Sequence, residues 1–323
     1  MRQAGRFMKE YRDVRAKIGF LELCKRADLA CEVTVTAVEK LGVDAAIIFA
    51  DLLLPLEPMG VGLRYERGDG PIIERPVRSP ADIERLRPVA PEVDLDYVFA
   101  AVKLARAALR PDLPLIGFAG APFTLASYLV EGGASRNFEK TKSMMYRQPA
   151  AWRRLMAVLC DVTARYLNSQ IAAGAAAVQL FDSWVGCLSQ ADYRDFVLPH
   201  TQQLVSAIEP GTPVIHFGTG TAHLLELMRD AGGDVIGLDW RVGLAEAWAR
   251  LGSQVAVQGN LDPVVLFAEP PEIRRRADLI LQEAAGRPGH IFNLGHGVLP
   301  ETPFDHVKYL VEAVHELGRR LYA

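Results

Sequence analysis

Long hydrophobic runs are missing from this chain. The longest, Ala45–Ala50 and Ile171–Val178, fall far short of the roughly 18 residues a membrane-crossing helix needs, so a spanning helix is excluded. An excess of positive charge is missing too: Lys+Arg 36 against Asp+Glu 39 gives a formal net charge of −3. No Lys/Arg cluster is interleaved with aromatics, so a nucleic-acid surface is not expected and any anionic ligand must be held locally. Cysteine is scarce. Cys24, Cys31, Cys160 and Cys187 lie too far apart for a Cys-x-x-Cys site, and nothing like a signal peptide precedes them. They read as buried free thiols, and the expected location is the cytoplasm.

Two further absences bear on chemistry. His216 and His223 have no Cys or carboxylate at ligand spacing, and His290 and His296 flank opposite ends of one apolar run, so no metal site is expected. Every lysine falls in a helix-like or loop segment, which argues against a Schiff base. Any reaction is expected to proceed without a cofactor.

What the chain has in quantity is apolar residues: 50% hydrophobic and 23% charged over 323 residues, enough for a large buried core. Seven segments repeat one pattern, an apolar β-branched run ending in polar or glycine residues. They are Val43–Leu53, Leu113–Ala121, Ala175–Ser183, Thr212–Gly220, Asp234–Trp240, Gln254–Asp262 and His290–Val298. Runs apolar at nearly every position suit strands covered on both faces, and alternation with helix-like sequence indicates α/β. Between Asp28 and Gly42, residues Leu29, Val33, Ala37 and Leu41 recur every fourth position, with Asp28 placed to cap the helix and Gly42 to end it. Val307, Leu310, Val314, Leu317 and Leu321 trace the stripe of a closing helix.

This order favours a (β/α)8 TIM barrel over an open sheet. Seven strands do not close such a barrel. Met1–Arg6 reads as the polar end of an eighth run whose apolar body would precede Met1, so the expected barrel lacks most of strand 1 and, as the family resemblance given below implies, its N-terminal helix. Residues 55 to 91 hold prolines at 55, 58, 71, 76, 80, 88 and 91, a density that excludes long helix and central strand. They read as an excursion with a hairpin around Gly68-Asp69-Gly70, not a separate domain, so residues 1–323 are expected to form one barrel domain.

In such barrels chemistry gathers where the strands end. The residues there are Arg2, Gln3 and Arg6; Asp51; Gly117 to Ala121; Asp182 and Ser183; His216; Asp239; Gln258 and Asn260; and His296. Arg2, Arg6 and Arg12 fit an anionic ligand, through guanidinium forks, as well as they fit a solvated chain end. Asp51 lies in a strongly apolar stretch, where a charge needs a partner: a structural arginine, or a cationic or N–H-rich ligand. Gly259-Asn260 and Gly295-His296-Gly297 would equally suit the phosphate site of a phosphosugar enzyme. Gly132-Gly133 fits a mobile lid or a plain surface turn.

Met1-Arg2-Gln3-Ala4-Gly5-Arg6, Phe49-Ala50-Asp51, Gly117-Phe118-Ala119-Gly120-Ala121-Pro122-Phe123-Thr124, Phe181-Asp182-Ser183-Trp184, Gly259-Asn260-Leu261-Asp262-Pro263 and Asn293-Leu294-Gly295-His296-Gly297 closely resemble the signatures of the uroporphyrinogen decarboxylase family. The resemblance runs the length of the chain. It implies a (β/α)8 barrel, usually a homodimer, that removes carbon dioxide from the four acetate arms of uroporphyrinogen III to give coproporphyrinogen III for haem synthesis, without a cofactor. Carried over by motif, Arg2, Gln3, Ala4, Gly5 and Arg6 resemble the loop that meets the substrate's carboxylates. Tyr128, Ser183 and His296 resemble further contacts, and Asp51 resembles the central aspartate. Arg2, or water held by it, is the implied proton donor, with His296 as the alternative. Two other readings stand beside this one: a zinc-dependent methyltransferase on the same barrel, and a tetrapyrrole carrier without turnover.

Overall fold

The computed structural model describes residues 3–66 and 70–321. All seven apolar runs form strands of one parallel sheet: β1 (Ala46–Ile47), β4 (Leu115–Gly120), β5 (Ala177–Asp182), β6 (Val214–Gly218), β7 (Val235–Gly237), β8 (Ala256–Leu261) and β9 (His290–Leu294), in the spatial order β1-β4-β5-β6-β7-β8-β9. The remaining strands, β2 (Leu63–Glu66) and β3 (Gly70–Ile73), make an antiparallel hairpin inside the proline-rich excursion. The tip predicted at Gly68-Asp69-Gly70 reaches into residues 67–69, outside the described residues.

Register shows how the sheet's two faces differ. Gly120, Phe181, Phe217, Gly237, Gln258 and Ile291 are paired in one row across β4 to β9, so their side chains share a face. On that face Phe118, Phe181 and Phe217 are in edge contact, with ring centroids 5.6 and 5.9 Å apart. A Cβ on Gly237 would stand 2.9 Å from that of Phe217, which is why the row carries a glycine there. The opposite face meets the helices: a Cβ on Gly117 would meet Gln170, of the helix Pro149–Ala172, at 2.7 Å. The aromatic face is therefore the concave one.

Among the described residues the sheet is open, with β1 and β9 as its edges. The N-terminal segment occupies the opening. The Gln3 carboxamide donates to Ala45 O at 2.6 Å and accepts from Ile47 N at 2.9 Å, doing for β1 what a neighbouring strand would. Ala4, Phe7, Met8 and Tyr11 are buried in one cluster with Leu261, Leu294 and Val298 on the β8–β9 side, and with Val33 and Leu41. The segment thus ties the two edges of a curled sheet together.

Two helix readings need correction. The helix α3 spans Ala27–Leu41 and starts two residues earlier than expected, so Arg26 is its N-cap; Asp28 sits in the first turn, where it pairs with Arg26 at 2.6 Å and complements the helix dipole. Gly42 does end α3, at φ 69°. In the final helix, Phe304–Leu321, Ala313 is buried with Val307, Leu310 and Leu317, whereas Leu321 is 41% exposed. Ala313 was hidden in the sequence because alanine marks a buried face weakly.

Candidate active site

Asp51 follows β1 and is half-buried. Its Oδ1 accepts two hydrogen bonds, from Leu53 N at 2.8 Å and from the Tyr65 hydroxyl. Leu53 supplies the first because the chain turns sharply after Asp51, an Asx turn that spends the carboxylate on its own backbone two residues on. Tyr65 comes from β2, so the excursion reaches back to the end of the first strand. Neither donor carries a charge. Burial, reinforced by the charge of Asp51 and by this hydrogen bond, pushes the Tyr65 hydroxyl far up, so it stays a donor.

Tyr128 lies on the helix Pro122–Glu131, opened by Pro122 at its first position and closed by Gly132 at φ 91°. Its ring meets Trp184 edge-on at 5.6 Å. Burial, with the Asp51 charge adding to it, raises its hydroxyl to about 12. Ser183 is half-buried at the end of β5, next to Trp184, whose backbone N–H reaches Thr124 Oγ1 at 3.4 Å. These contacts bring Asp51, Tyr65, Tyr128 and Trp184 into one corner of the mouth. The Gly132-Gly133 pair is docked on the hairpin, with Ile73 N donating to Gly132 O at 2.9 Å.

The N-terminal motif is divided. Ala4 and Gly5 are buried, Arg6 is exposed with its carbonyl accepting from Arg12 Nη1 at 2.7 Å, and Gln3 is engaged with β1 as above. Arg2 lies outside the described residues, as does Met1. His296 is exposed in the loop after β9, edge-on to Trp240 at 6.4 Å. Above that same indole sits the Arg241 guanidinium, 4.0 Å from the ring centroid. Arg241 also pairs at 2.5 Å with buried Asp239, which accepts from Gly220 N at 2.6 Å. Asn260 donates to the carbonyls of Asp239 and Val242 at 2.9 and 2.7 Å, so this second corner is tightly braced.

Two strand-end residues face elsewhere. Asp182 pairs in register with Gly218, and His216 with Leu180, which puts both on the helix-facing side by the two-residue alternation of strands. Both are fully buried; Asp182 Oδ1 accepts from Thr124 Oγ1 at 2.9 Å. Tyr65, Trp240 and Arg241 were not among the sequence candidates. Nothing in Leu63-Arg64-Tyr65-Glu66 connects it to an aspartate fourteen residues earlier, and an arginine past a strand end looks like any solvated one.

Among the described residues no three His, Cys, Asp or Glu side chains are grouped so that they could hold a metal ion. Burial pushes the Cys160 thiol to about 12 and that of Cys187 to about 11, and it raises Cys24 as well. No helix among the described residues is long and apolar enough to cross a membrane.

A sequence model described as "Uroporphyrinogen decarboxylase (URO-D)" matches residues 1–317. Proteins named uroporphyrinogen decarboxylase are similar throughout: that of Carboxydothermus hydrogenoformans is 55% identical over 323 residues, covering 100% of this chain and 92% of its own. That of Sorangium cellulosum is 57% identical over 320 residues, covering 99% and 91%. Among solved structures, a methyltransferase from Methanosarcina mazei superposes with a TM-score of 0.78 at 21% identity, over 92% of this chain and 90% of that one. A B12-independent methionine synthase from Shewanella sp. W3-18-1 does so with 0.60 at 13% identity, over 94% and 91%. At such identities these two likenesses concern the fold.

Proposed function

The chain belongs to the uroporphyrinogen decarboxylase family, and from that membership we propose how its residues divide the work. It is a carboxy-lyase of tetrapyrrole biosynthesis that takes carbon dioxide from the four acetate arms of uroporphyrinogen III and leaves coproporphyrinogen III. Breaking the carbon–carboxylate bond pushes an electron pair toward the pyrrole. The ring first takes a proton on carbon and becomes a cation; carbon dioxide then departs as its electrons neutralise that cation, a second proton on the resulting methylene carbon completes the methyl group, and the ring carbon gives up the first proton to restore the pyrrole. The pyrrole is its own electron sink, so no cofactor is required.

Asp51 accepts from the inner pyrrole N–H groups and stabilises the ring cation as it forms, as a preorganised charge does best in a site of low polarity. Arg2, Gln3, Ala4, Gly5 and Arg6, with Tyr128, Ser183 and His296, hold the peripheral carboxylates. The first proton comes from Arg2 or from water it holds, with His296 as second candidate; an arginine, with a pKa above 12, is a weak acid and needs such help. The enzyme works in the cytoplasm as a homodimer of single barrel domains.

The observation that carries this reading is the position of Asp51: a half-buried carboxylate in apolar surroundings at a strand end, held by two neutral donors. Anaerobic incubation with uroporphyrinogen III, followed by chromatography, tests it. Products with seven down to four carboxylates are expected. Tight binding with substrate unchanged would instead identify a carrier.

A further inference from the structure

We infer that Tyr65 is a positioning residue for the decarboxylation: its hydroxyl, delivered by the hairpin of the proline-rich excursion, fixes the Asp51 carboxylate in one orientation and stabilises it as an anion. The inference rests on the role of Asp51 given above.

The hydroxyl and Leu53 N share one oxygen of Asp51, and together they leave the carboxylate little rotational freedom. Tyr65 is itself seated. Its ring lies 4.8 Å from that of Phe20, which meets Phe49 edge-on at 6.2 Å, and its backbone is paired with Pro71 across the hairpin. The hairpin is in turn pinned through Ile73 and Val77, whose N–H groups donate to Gly132 O and Leu129 O, each at 2.9 Å. A hydrogen bond from a neutral donor favours the carboxylate over the acid without adding a charge of its own. Among the described residues, titratable groups that the Asp51 charge bears on include Cys24 of the helix Phe20–Lys25, Tyr65, Tyr128, and Tyr166 of the helix Pro149–Ala172. All are pushed up and stay neutral near pH 7. Arg15, Glu57 and Lys25 also act on Cys24 electrostatically.

Tyr65→Phe keeps the ring and removes the donor. With uroporphyrinogen as substrate, kcat/KM is expected to fall about tenfold at pH 7, the lower end for a hydrogen bond to a charged group. The acidic limb of its pH profile should move up by about one unit, with the melting temperature little changed. In an Asp51→Asn background the same substitution should cost nothing more. Tyr65→Gln, which retains an N–H donor, should recover part of what Tyr65→Leu loses, a comparison that holds even if the Phe variant folds poorly. An unmoved rate and profile for Tyr65→Phe beside a crippled Asp51→Asn would overturn the inference and leave the role of Asp51 standing. So would an equal loss in both backgrounds, or Gln and Leu variants alike. An Asp51→Asn enzyme at full activity would remove the premise itself.

Discussion

The mouth of the barrel has two unlike corners. Around Asp51 two hydrogen bonds come from neutral groups, a backbone N–H two residues on and a phenol fourteen residues on. Around Trp240, which His296 meets edge-on, the groups are charged: Asp239, with its side chain 1% exposed, holds a 48% exposed Arg241 over the indole, and the loops after β7 and β9 supply nearly everything. On the proposed function the first arrangement serves a ligand's N–H groups. The second sets a cation outward on an aromatic shelf, next to an imidazole. On the proposed function the macrocycle's centre belongs to the first corner and its acidic edge to the second, so changes at the centre should act on kcat and changes at the edge on KM.

The largest effect should come from Asp51→Asn, which removes the central charge while keeping its shape. A loss of 2.7–4 kcal/mol of barrier stabilisation, on the order of that for other preorganised electrostatic groups, is expected in single-turnover rates; a drop below threefold would erase the contrast between corners. Next is Gly295→Ala. The added Cβ would stand 2.6 Å from Trp240 N and 3.0 Å from Asp239 C, backbone atoms that cannot step aside. The braced corner should lose about 2 kcal/mol in denaturant unfolding, with KM raised more than kcat is lowered. Smaller still is Arg241→Ala: about 1 kcal/mol in substrate affinity, given the guanidinium's exposure, read as a rise in KM with kcat unchanged. A fall in kcat alone would move Arg241 to the centre.

The smallest effect concerns pH. Tyr65 and Tyr128 have hydroxyls raised above the ordinary 10 in the folded state. The folded chain therefore holds their protons more tightly than the unfolded chain does, and the stability this gives is complete below about pH 10. It is lost as pH climbs from 10 toward about 12, where Tyr128 titrates. Melting temperatures across that window should fall less steeply for Tyr128→Phe than for the parent, and His296→Gln should leave the slope as it was.

Much of this could be read from the chain. The seven runs announced the sheet because strands buried on both faces are apolar at nearly every position, and each run contains its strand. The proline density of residues 55 to 91 correctly forbade long elements and left room for the hairpin. Legibility failed where one face had to be told from another: Asp182 and His216 looked like mouth residues until register turned them toward the helices.

By itself, then, the sequence determined the order of strands, the motifs that carry the family, and Asp51 as a charge in need of company, because apolar patterning and unpaired charge are local properties. Tertiary structure alone decided who keeps that company. Tyr65 reaches Asp51 only once the hairpin is docked on Leu129 and Gly132, and Trp240 meets His296 only once β7 and β9 stand two places apart in the same sheet. Contacts between distant segments leave no periodic trace in a sequence; they arise from the closure of the fold.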